Sequence, residues 1–499
     1  MEPFSAERAT LVATLTTNAE PASELAARLD GVAWLEVRAD RVGDLDPAPL
    51  RKIFPGKLLY TLRSRAEGGG SEVSAERRRR RLAEAAERYD LVDLEASRDL
   101  APDVLRAIPP EKRVLSWHGP AADLAGLRAT FDRMARAEAL LYKLVPTAKE
   151  PGEEIPALQL LDSLERRDVA AFAAGKAGAW TRLVAPRLGA PVIYGALSED
   201  EPGAPGQISL RRLREDYLLP DLPRVEALFG IVGNPVSHSL SPRLHNAAYR
   251  ALGIPAFYLP FYAESFGDFW LEVVESGVPE SLGLPIRGLS VTAPHKEAAL
   301  AVAGAESPIA ALVGAANTLV CTGGVWEAES TDPEGVVLPL KERGIDVSRL
   351  NAAVVGAGGA GRSAVAGLAR AGARVVLTNR GAERGERSAE LLHVPFLPLA
   401  DFDPAGYDLL VNATSLGRSE AEALPFDVEA VRPGTVVIDL VYRETPTPLL
   451  AAAAARGAVV IDGREVLLSQ ALGQFRMMTG QEMPVGLARQ VLGLGEGGA

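Results

Sequence analysis

The sequence predicts an α/β protein throughout: a (β/α)8 barrel, then two further α/β lobes, the second of Rossmann type. Three observations carry that prediction. Eight short apolar runs alternate with charge-rich helical segments over the first 215 residues. Titratable residues recur at the ends of those runs. A glycine-rich stretch, VVGAGGAG, sits between a strand-like run and a helix-like one at 354–361.

The apolar runs are Leu11–Leu15, Trp34–Arg38, Leu58–Leu62, Leu91–Leu94, Arg113–His118, Leu141–Val145, Val169–Ala173 and Val192–Leu197. Helical segments such as Ser74–Tyr89 and Ala121–Leu140 lie between them. Strands alternating with helices imply parallel βαβ units. Eight such units fit a compact barrel; a doubly wound open sheet is the alternative. Arg38, Arg63, Glu95, His118 and Lys143 are expected at or just past strand C-terminal ends, the face on which barrel active sites form. The basic run Arg77–Arg81 is expected on a solvated helix face. Tyr217–Arg224 reads as a linker, a new strand begins at Leu228, a third unit starts at Ala352, and Leu467–Leu494 has helical character.

Composition bounds the rest. The chain has 499 residues, 47% hydrophobic and 24% charged, enough for several cores. A net charge of −12 argues against nucleic acid as a partner, so an anionic ligand needs local arginines. Cys321 is the one cysteine, and no Cys/His spacing suggests a metal site. The N-terminal MEPFSAERATLVATL lacks the pattern of a signal peptide. The apolar stretch Ala352–Leu377 is broken by Arg362, Arg370 and Arg374, which argues against a membrane span. By elimination these features point to the cytoplasm, with small molecules as partners. Oligomeric state stays open between monomer and homodimer.

Lys143 ends an apolar strand, and a lysine removed from water has a lowered pKa. Its neutral amine can form a Schiff base with a ketone, which acidifies the adjacent carbon. His118, one strand earlier, suits the proton transfer. Around them stand WLEVRAD (34–40), LLYTLRSRAEGG (58–69), LSWH (115–118), YKLVP (142–146) and APGQIS (204–209). In that order they resemble type I 3-dehydroquinate dehydratase over essentially all of the first 215 residues. The resemblance implies Lys143 as the Schiff-base lysine, His118 as proton shuttle and Glu67 as its orienting partner. Glu36, Arg38 and Arg63 would line the pocket, while Arg182 and Gln207 would hold the substrate carboxylate and close a lid over 198–207. Gly203 stands where the family usually has serine, and Ala173-Ala174 where it has Ser-Met.

Gly356, Gly358 and Gly361 match G-x-G-x-x-G and precede the helical segment Arg362–Ala371. Such glycines let backbone approach a pyrophosphate at a helix N-terminus. The next strand, Arg374–Thr378, runs into Asn379-Arg380, with Arg384 following. Arginine in place of an acid suits a 2′-phosphate, so NADP is favoured over NAD. GNPVSHSLSP (233–242), SVTAPHK (290–296), GAANTL (314–319), STDPEG (330–335), NATSLG (412–417), DLVY (439–442) and Gln470 together resemble shikimate dehydrogenase over roughly 228–495. That resemblance implies a two-lobed dehydrogenase in which Lys296 and Asp332 are the catalytic pair. Ser239 and Ser241 would bind the carboxylate, with Thr292, Asn317, Tyr442 and Gln470 also touching substrate. Gly359, Ala360, Thr414 and Gly463 would join the glycine loop around the cofactor. The implied domains are a barrel over 1–216, a linker over 217–227, a substrate lobe over 228–335 plus 465–499, and a nucleotide lobe over 336–464. Ser290, His295, Ser330 and Pro333 depart from the usual Asn, Phe, Asn and Gly, which leaves shikimate against quinate open. An NAD-dependent quinate/shikimate dehydrogenase and a non-catalytic metabolite sensor are the rival readings.

Overall fold

Eight parallel strands form the N-terminal sheet of the computed structural model, which describes residues 7–17, 21–222, 224–417, 423–443 and 445–495. Positions 1–6 and 496–499, at the outer ends of the expected domains, and Pro223 in the expected linker lie outside the described residues. The strands are β1 (Thr10–Leu15), β2 (Trp34–Arg38), β3 (Lys57–Thr61), β4 (Leu91–Glu95), β5 (Arg113–Pro120), β6 (Leu141–Thr147), β7 (Val169–Ala171) and β8 (Val192–Ala196). Their spatial order, β7-β6-β5-β4-β3-β2-β1-β8, is sequential and returns β8 to the side of β1. An open doubly wound sheet would reverse order at a switch point, so this is a barrel, lacking only a ladder between β7 and β8 among the described residues. Strands β2, β4 and β8 are buried at every position, as strands covered on both faces must be.

Three sequence expectations need correction here. The pairing of β5 with β6 continues through His118↔Val145 to Pro120↔Thr147, so both strands run further than expected. Lys143 and His118 therefore lie within strands, Lys143 opposite Ser116, rather than at their ends. The helix expected over Ala121–Leu140 spans Leu124–Met134, because Asp123 caps it by accepting from Gly126 N. The basic run is not wholly solvated. Arg78 is buried, donating to Asp99 at 2.7 and 2.6 Å and to the Leu62 carbonyl. A fork of donors on a carboxylate is what makes such a buried cation tolerable.

The chain divides into two compact units, 1–228 with 236–286 and 229–235 with 287–499. The stretch expected to form one substrate lobe is thus shared between them. In the first unit the expected linker is no free tether. Tyr217 and Leu219 are buried, and Leu219 N donates to the Leu213 carbonyl at 2.9 Å. Strand β10 (Ala256–Tyr262) packs there beside the helix Ser241–Leu252 and the barrel helix Ala179–Val184, with Trp180 and Phe261 ring centroids 5.4 Å apart.

The second unit holds β9 (Ala227–Gly233) from Phe229 onward, β11 (Ile286–Val291), β12 (Ala305–Glu306), β13 (Thr318–Thr322) and β14 (Val325–Glu329), in the order β9-β11-β13-β14-β12. Next come β15 (Asn351–Val355), β16 (Arg374–Asn379), β17 (Phe396–Pro398), β18 (Leu409–Asn412), β19 (Val436–Asp439) and β20 (Val459–Ile461). They form one parallel sheet ordered β17-β16-β15-β18-β19-β20, which is the 3-2-1-4-5-6 order of a dinucleotide-binding fold. Its core is built from Val354, Leu377, Val411 and Ile438 on one side and Val355, Leu410 and Val437 on the other. The expected C-terminal helix is two, Gly463–Thr479 and Val485–Val491. Gly480, with φ +71°, ends the first, and Pro484 precedes the second. Among the described residues no helix is long and apolar enough to cross a membrane.

Candidate active sites

In the barrel, Lys143 is buried on β6 with its Nζ 3.6 Å from Asp93 and 3.9 Å from Glu36. The ammonium also lies 4.4 Å from the centre of the Tyr194 ring. Glu36 is fixed by hydroxyls donated from Thr14 at 3.1 Å and Thr61 at 2.9 Å. Burial pushes the Lys143 pKa down, and the two carboxylates only partly oppose it. Side chains alternate along β5, so His118 shares the face of Ser116, the residue paired with Lys143. His118 Nδ1 is 3.3 Å from Glu67 Oε2, and its backbone N donates to the same oxygen at 3.1 Å. Ser97 donates to the other Glu67 oxygen at 2.6 Å. Burial, helped by Arg63 and Lys143, holds the imidazole well below its ordinary pKa, hence neutral. Burial pushes Glu67 up to about 7 even though Arg63 beside it pulls the other way.

Arg63 is a structural hub, donating to Asp93 at 3.0 Å, Ser116 at 2.8 Å and Glu67 at 3.2 Å. Arg182 differs. It is buried against the Phe172 ring at 4.7 Å, and its Nε and Nη2 have no hydrogen-bond partner among the described residues. Burial lowers its pKa to about 10. A buried guanidinium with unused donors is complementary to an anion. Gln207 donates to Thr14 Oγ1 at 2.9 Å, and its buried Oε1 has no partner among the described residues. The segment 198–207 is drawn over the barrel mouth: Arg38 donates to the Gly203 carbonyl at 2.7 Å while forking onto Asp40 at 2.8 Å twice. A Cβ at Gly203 would come within 2.6 Å of both Gln207 Oε1 and Thr14 Cγ2. Glycine there permits this close approach. Ala173 packs with Ala148 and Ala177 in a small buried cluster.

Sequence reasoning missed Asp93, Ser116, Tyr194 and Asp40. Asp93 had a signal: in LVDLE it alternates with Glu95 on one strand face, an odd place for two acids unless cations face them.

In the second unit, Lys296 begins the helix Lys296–Val302 and its Nζ pairs with Asp332 Oδ2. Asp332 opens the helix Asp332–Glu342. Its other oxygen accepts from Asn317 Nδ2 at 2.8 Å. The same amide reaches Thr331 Oγ1 at 3.0 Å and Gln470 Oε1 at 3.2 Å. Gln474, which sequence reasoning overlooked, ties this network to the fold by donating to the Asn317 carbonyl at 3.1 Å. Ser290 donates to Gln474 Oε1 at 2.9 Å, so that departure supports the network from beneath. Ser330 Oγ meets Ser363 Oγ at 3.3 Å. Thr292 N donates to the Val232 carbonyl at 2.9 Å, and Tyr442 is half-buried in the loop after β19. Ser239 and Ser241 belong to the first unit and are buried at the start of the helix Ser241–Leu252.

The glycine loop follows β15. Gly356 has φ +117°, and a Cβ on Gly361 would lie 1.8 Å from the Gly356 carbonyl oxygen. The helix Gly359–Arg370 starts after Gly358 with no side-chain cap among the described residues, and helix N-termini of this kind present N–H groups to anions. Ala360 lies in its first turn, half-buried. A Cβ on Gly359 would be 3.3 Å from Lys296 Cβ and Cδ, so the helix N-terminus lies against Lys296. Asn379 accepts from Ala357 N at 3.2 Å at the end of β16. Arg380 is exposed beside it, and Arg384 Nη2 would lie 3.9 Å from a Gly358 Cβ. Thr414 donates to Asn412 Oδ1 at 2.7 Å in the loop after β18. Gly463 packs where a Cβ would meet the Asp439 and Val441 carbonyls at 2.7 and 2.6 Å. An uncapped helix end, glycines that hold the loop tight and arginines rather than an acid after β16 fit a phosphorylated dinucleotide.

Residues 231–319 match the family described as shikimate dehydrogenase substrate binding domain. The chain is 38% identical over 276 residues to a shikimate dehydrogenase (NADP(+)) of Citrifermentans bemidjiense, covering 53% of this chain and 93% of that protein. The chain belongs to the shikimate dehydrogenase family. A second such enzyme, from Rubrobacter xylanophilus, is 38% identical over 289 residues and is covered over 99% of its length against 55% of this chain. Ahead of the shikimate dehydrogenase part, residues 11–221 match the family described as type I 3-dehydroquinase. A chloroplastic bifunctional 3-dehydroquinate dehydratase/shikimate dehydrogenase of Arabidopsis thaliana is 29% identical over 503 residues, covering 93% of this chain and 80% of that protein. The chain is therefore a bifunctional enzyme by family, a dehydroquinate dehydratase joined to a shikimate dehydrogenase of the NADP-named group.

Proposed function

We propose that the barrel dehydrates 3-dehydroquinate through a Schiff base on Lys143, and that the second half reduces the resulting 3-dehydroshikimate to shikimate with NADPH. These would be consecutive steps of the shikimate pathway. The observation that carries the first step is Lys143 itself, buried among Asp93, Glu36 and the Tyr194 ring with its pKa depressed. A depressed pKa supplies the neutral amine that attacks the ketone, and the ketone oxygen leaves as water. His118, held neutral and oriented by Glu67, takes a proton from the carbon beside the iminium and returns it to the departing β-hydroxyl. Hydrolysis frees the product, so one water is lost overall. Arg182 and Gln207 hold the substrate carboxylate, which would accept from Arg182 Nε and Nη2, unpartnered among the described residues. Glu36, Arg38 and Arg63 line the pocket.

In the second half, Lys296 donates the proton that quenches the developing alkoxide, and Asp332 holds Lys296 and a substrate hydroxyl. Asn317, Thr292, Tyr442 and Gln470 read the ring by hydrogen bonds, and Ser239 with Ser241 takes the carboxylate. NADPH, when bound, supplies the hydride. Gly356, Gly358, Gly359, Ala360 and Gly361 would cradle its pyrophosphate at the helix N-terminus, with Asn379, Thr414 and Gly463 lining the remainder. The functional division proposed is 1–216, 217–227, 228–335 plus 465–499, and 336–464.

Arg380 and Arg384 are assigned to the 2′-phosphate. Steady-state kinetics with both nucleotides test this. Wild type should prefer NADPH, and Arg380→Ala should raise the KM for NADPH about 10- to 100-fold, the worth of one charged hydrogen bond, without touching the NADH reaction. A wild-type preference for NADH would overturn the assignment in favour of an NAD-dependent quinate/shikimate dehydrogenase.

A further inference from the structure

We infer that the last helix of the barrel positions the seryl loop of the dehydrogenase, through Arg212 and Asp216. The inference rests on the reading that Ser239 and Ser241 hold the substrate carboxylate. Arg212 lies on the barrel helix Leu210–Glu215, and Asp216 follows it, 1% exposed. One edge of the Arg212 guanidinium pairs with Asp216 Oδ2. The other edge donates to the Ser237 carbonyl and, at 3.4 Å, to the Ser239 carbonyl. The loop so held is the one that presents the serines. Ser239 N donates to the Val236 carbonyl at 3.1 Å, and Ser241 N donates to Ser239 Oγ at 3.2 Å.

Asp216 is itself clamped. Arg243 Nε donates to its Oδ1 at 2.7 Å, and Asn246 Nδ2 donates to its backbone carbonyl at 2.8 Å. Arg243 and Asn246 lie on the helix Ser241–Leu252 that the serines introduce. The carboxylate thus sits between a barrel arginine and a dehydrogenase arginine, and Arg212 carries the link onward to the loop backbone. A planar fork can satisfy a carboxylate and carbonyls at fixed angles, whereas a lysine's single ammonium cannot span both. Arg212 meets none of Lys143, His118 and Glu67 among the described residues, so its role falls on the other reaction. Arg212 and Asp216 are positioning residues: they touch no reacting atom but fix the backbone that carries two hydroxyls. A small displacement of such hydroxyls weakens substrate binding without altering the cofactor site.

The test uses the full chain and both assays. Arg212→Lys and Asp216→Asn should each raise the KM for 3-dehydroshikimate roughly tenfold, while the KM for NADPH and the dehydratase rate stay near wild type. An unchanged KM in both variants overturns the inference, as does a uniform fall in every parameter of both reactions, the mark of a merely structural role. Ser239→Ala and Ser241→Ala are measured alongside. If they raise the same KM and the Arg212 variant does not, the positioning idea alone fails. If neither serine variant moves KM, the carboxylate reading fails and takes this inference with it.

Discussion

Lys143→Ala is expected to lower dehydration by roughly 10^4-fold or more, since it removes the proposed nucleophile on which every later step would depend. The same substitution should abolish covalent trapping of the substrate by borohydride. Reduction of 3-dehydroshikimate by the same protein should be nearly unaffected, because Lys296 and Asp332 belong to a separate unit. That retained activity also reports folding, which is a concern because Asp93 and Glu36 lose a cation. Lys143→Met keeps the volume and should show the same loss. The pH dependence of trapping has a definite sign. Burial lowers the Lys143 pKa, so the neutral amine appears, and trapping reaches its ceiling, at lower pH than for a free lysine. Undiminished trapping in Lys143→Met would remove the Schiff base from this site.

Lys296→Ala should do the converse. Loss of a positioned proton donor is worth roughly 10^2- to 10^4-fold, and it should appear in kcat for reduction. Asp332 would retain its bond from Asn317, so substrate affinity should change less than turnover. The KM for NADPH should rise little, because the glycine loop and Arg380 are untouched, although the Lys296 stem packs beside Gly359. Dehydration should proceed normally. A Lys296→Ala protein that reduces 3-dehydroshikimate at the wild-type rate would take the proton-donor role from this lysine.

Much of this architecture was legible in the chain. Buried parallel strands must be apolar on both faces, so the eight runs stood out, and the glycine loop marked the start of the nucleotide sheet. Strand ends were less legible. His118 and Lys143 fall inside β5 and β6 because pairing continues through Pro120 and Thr147, and prolines usually argue for stopping a strand. Arg78 read as one of five similar surface cations; only the fold brings Asp99 and the Leu62 carbonyl to it. Lys143 and Lys296, with His118 and Asp332, were visible as motifs. Tyr194 and Gln474 were not, since each acts from a distant element whose register no local pattern discloses, and Asp93 left only the local hint of two acids on one face of a strand. The clamp at Asp216 was hidden for the same reason. The stretch read as a linker contains buried Tyr217 and Leu219, and Tyr217 meets the Phe257 ring, remote in sequence, with centroids 6.2 Å apart.

One chain is expected to carry out two consecutive reactions. The most direct measurement supplies the purified protein with 3-dehydroquinate and NADPH and follows NADPH absorbance. Wild type should consume NADPH and accumulate shikimate. The Lys143→Met chain should consume none until 3-dehydroshikimate is added, and then proceed at the wild-type rate. A folded wild-type protein that leaves NADPH untouched with 3-dehydroquinate, or a Lys143→Met chain that still consumes it, would overturn the two-step reading.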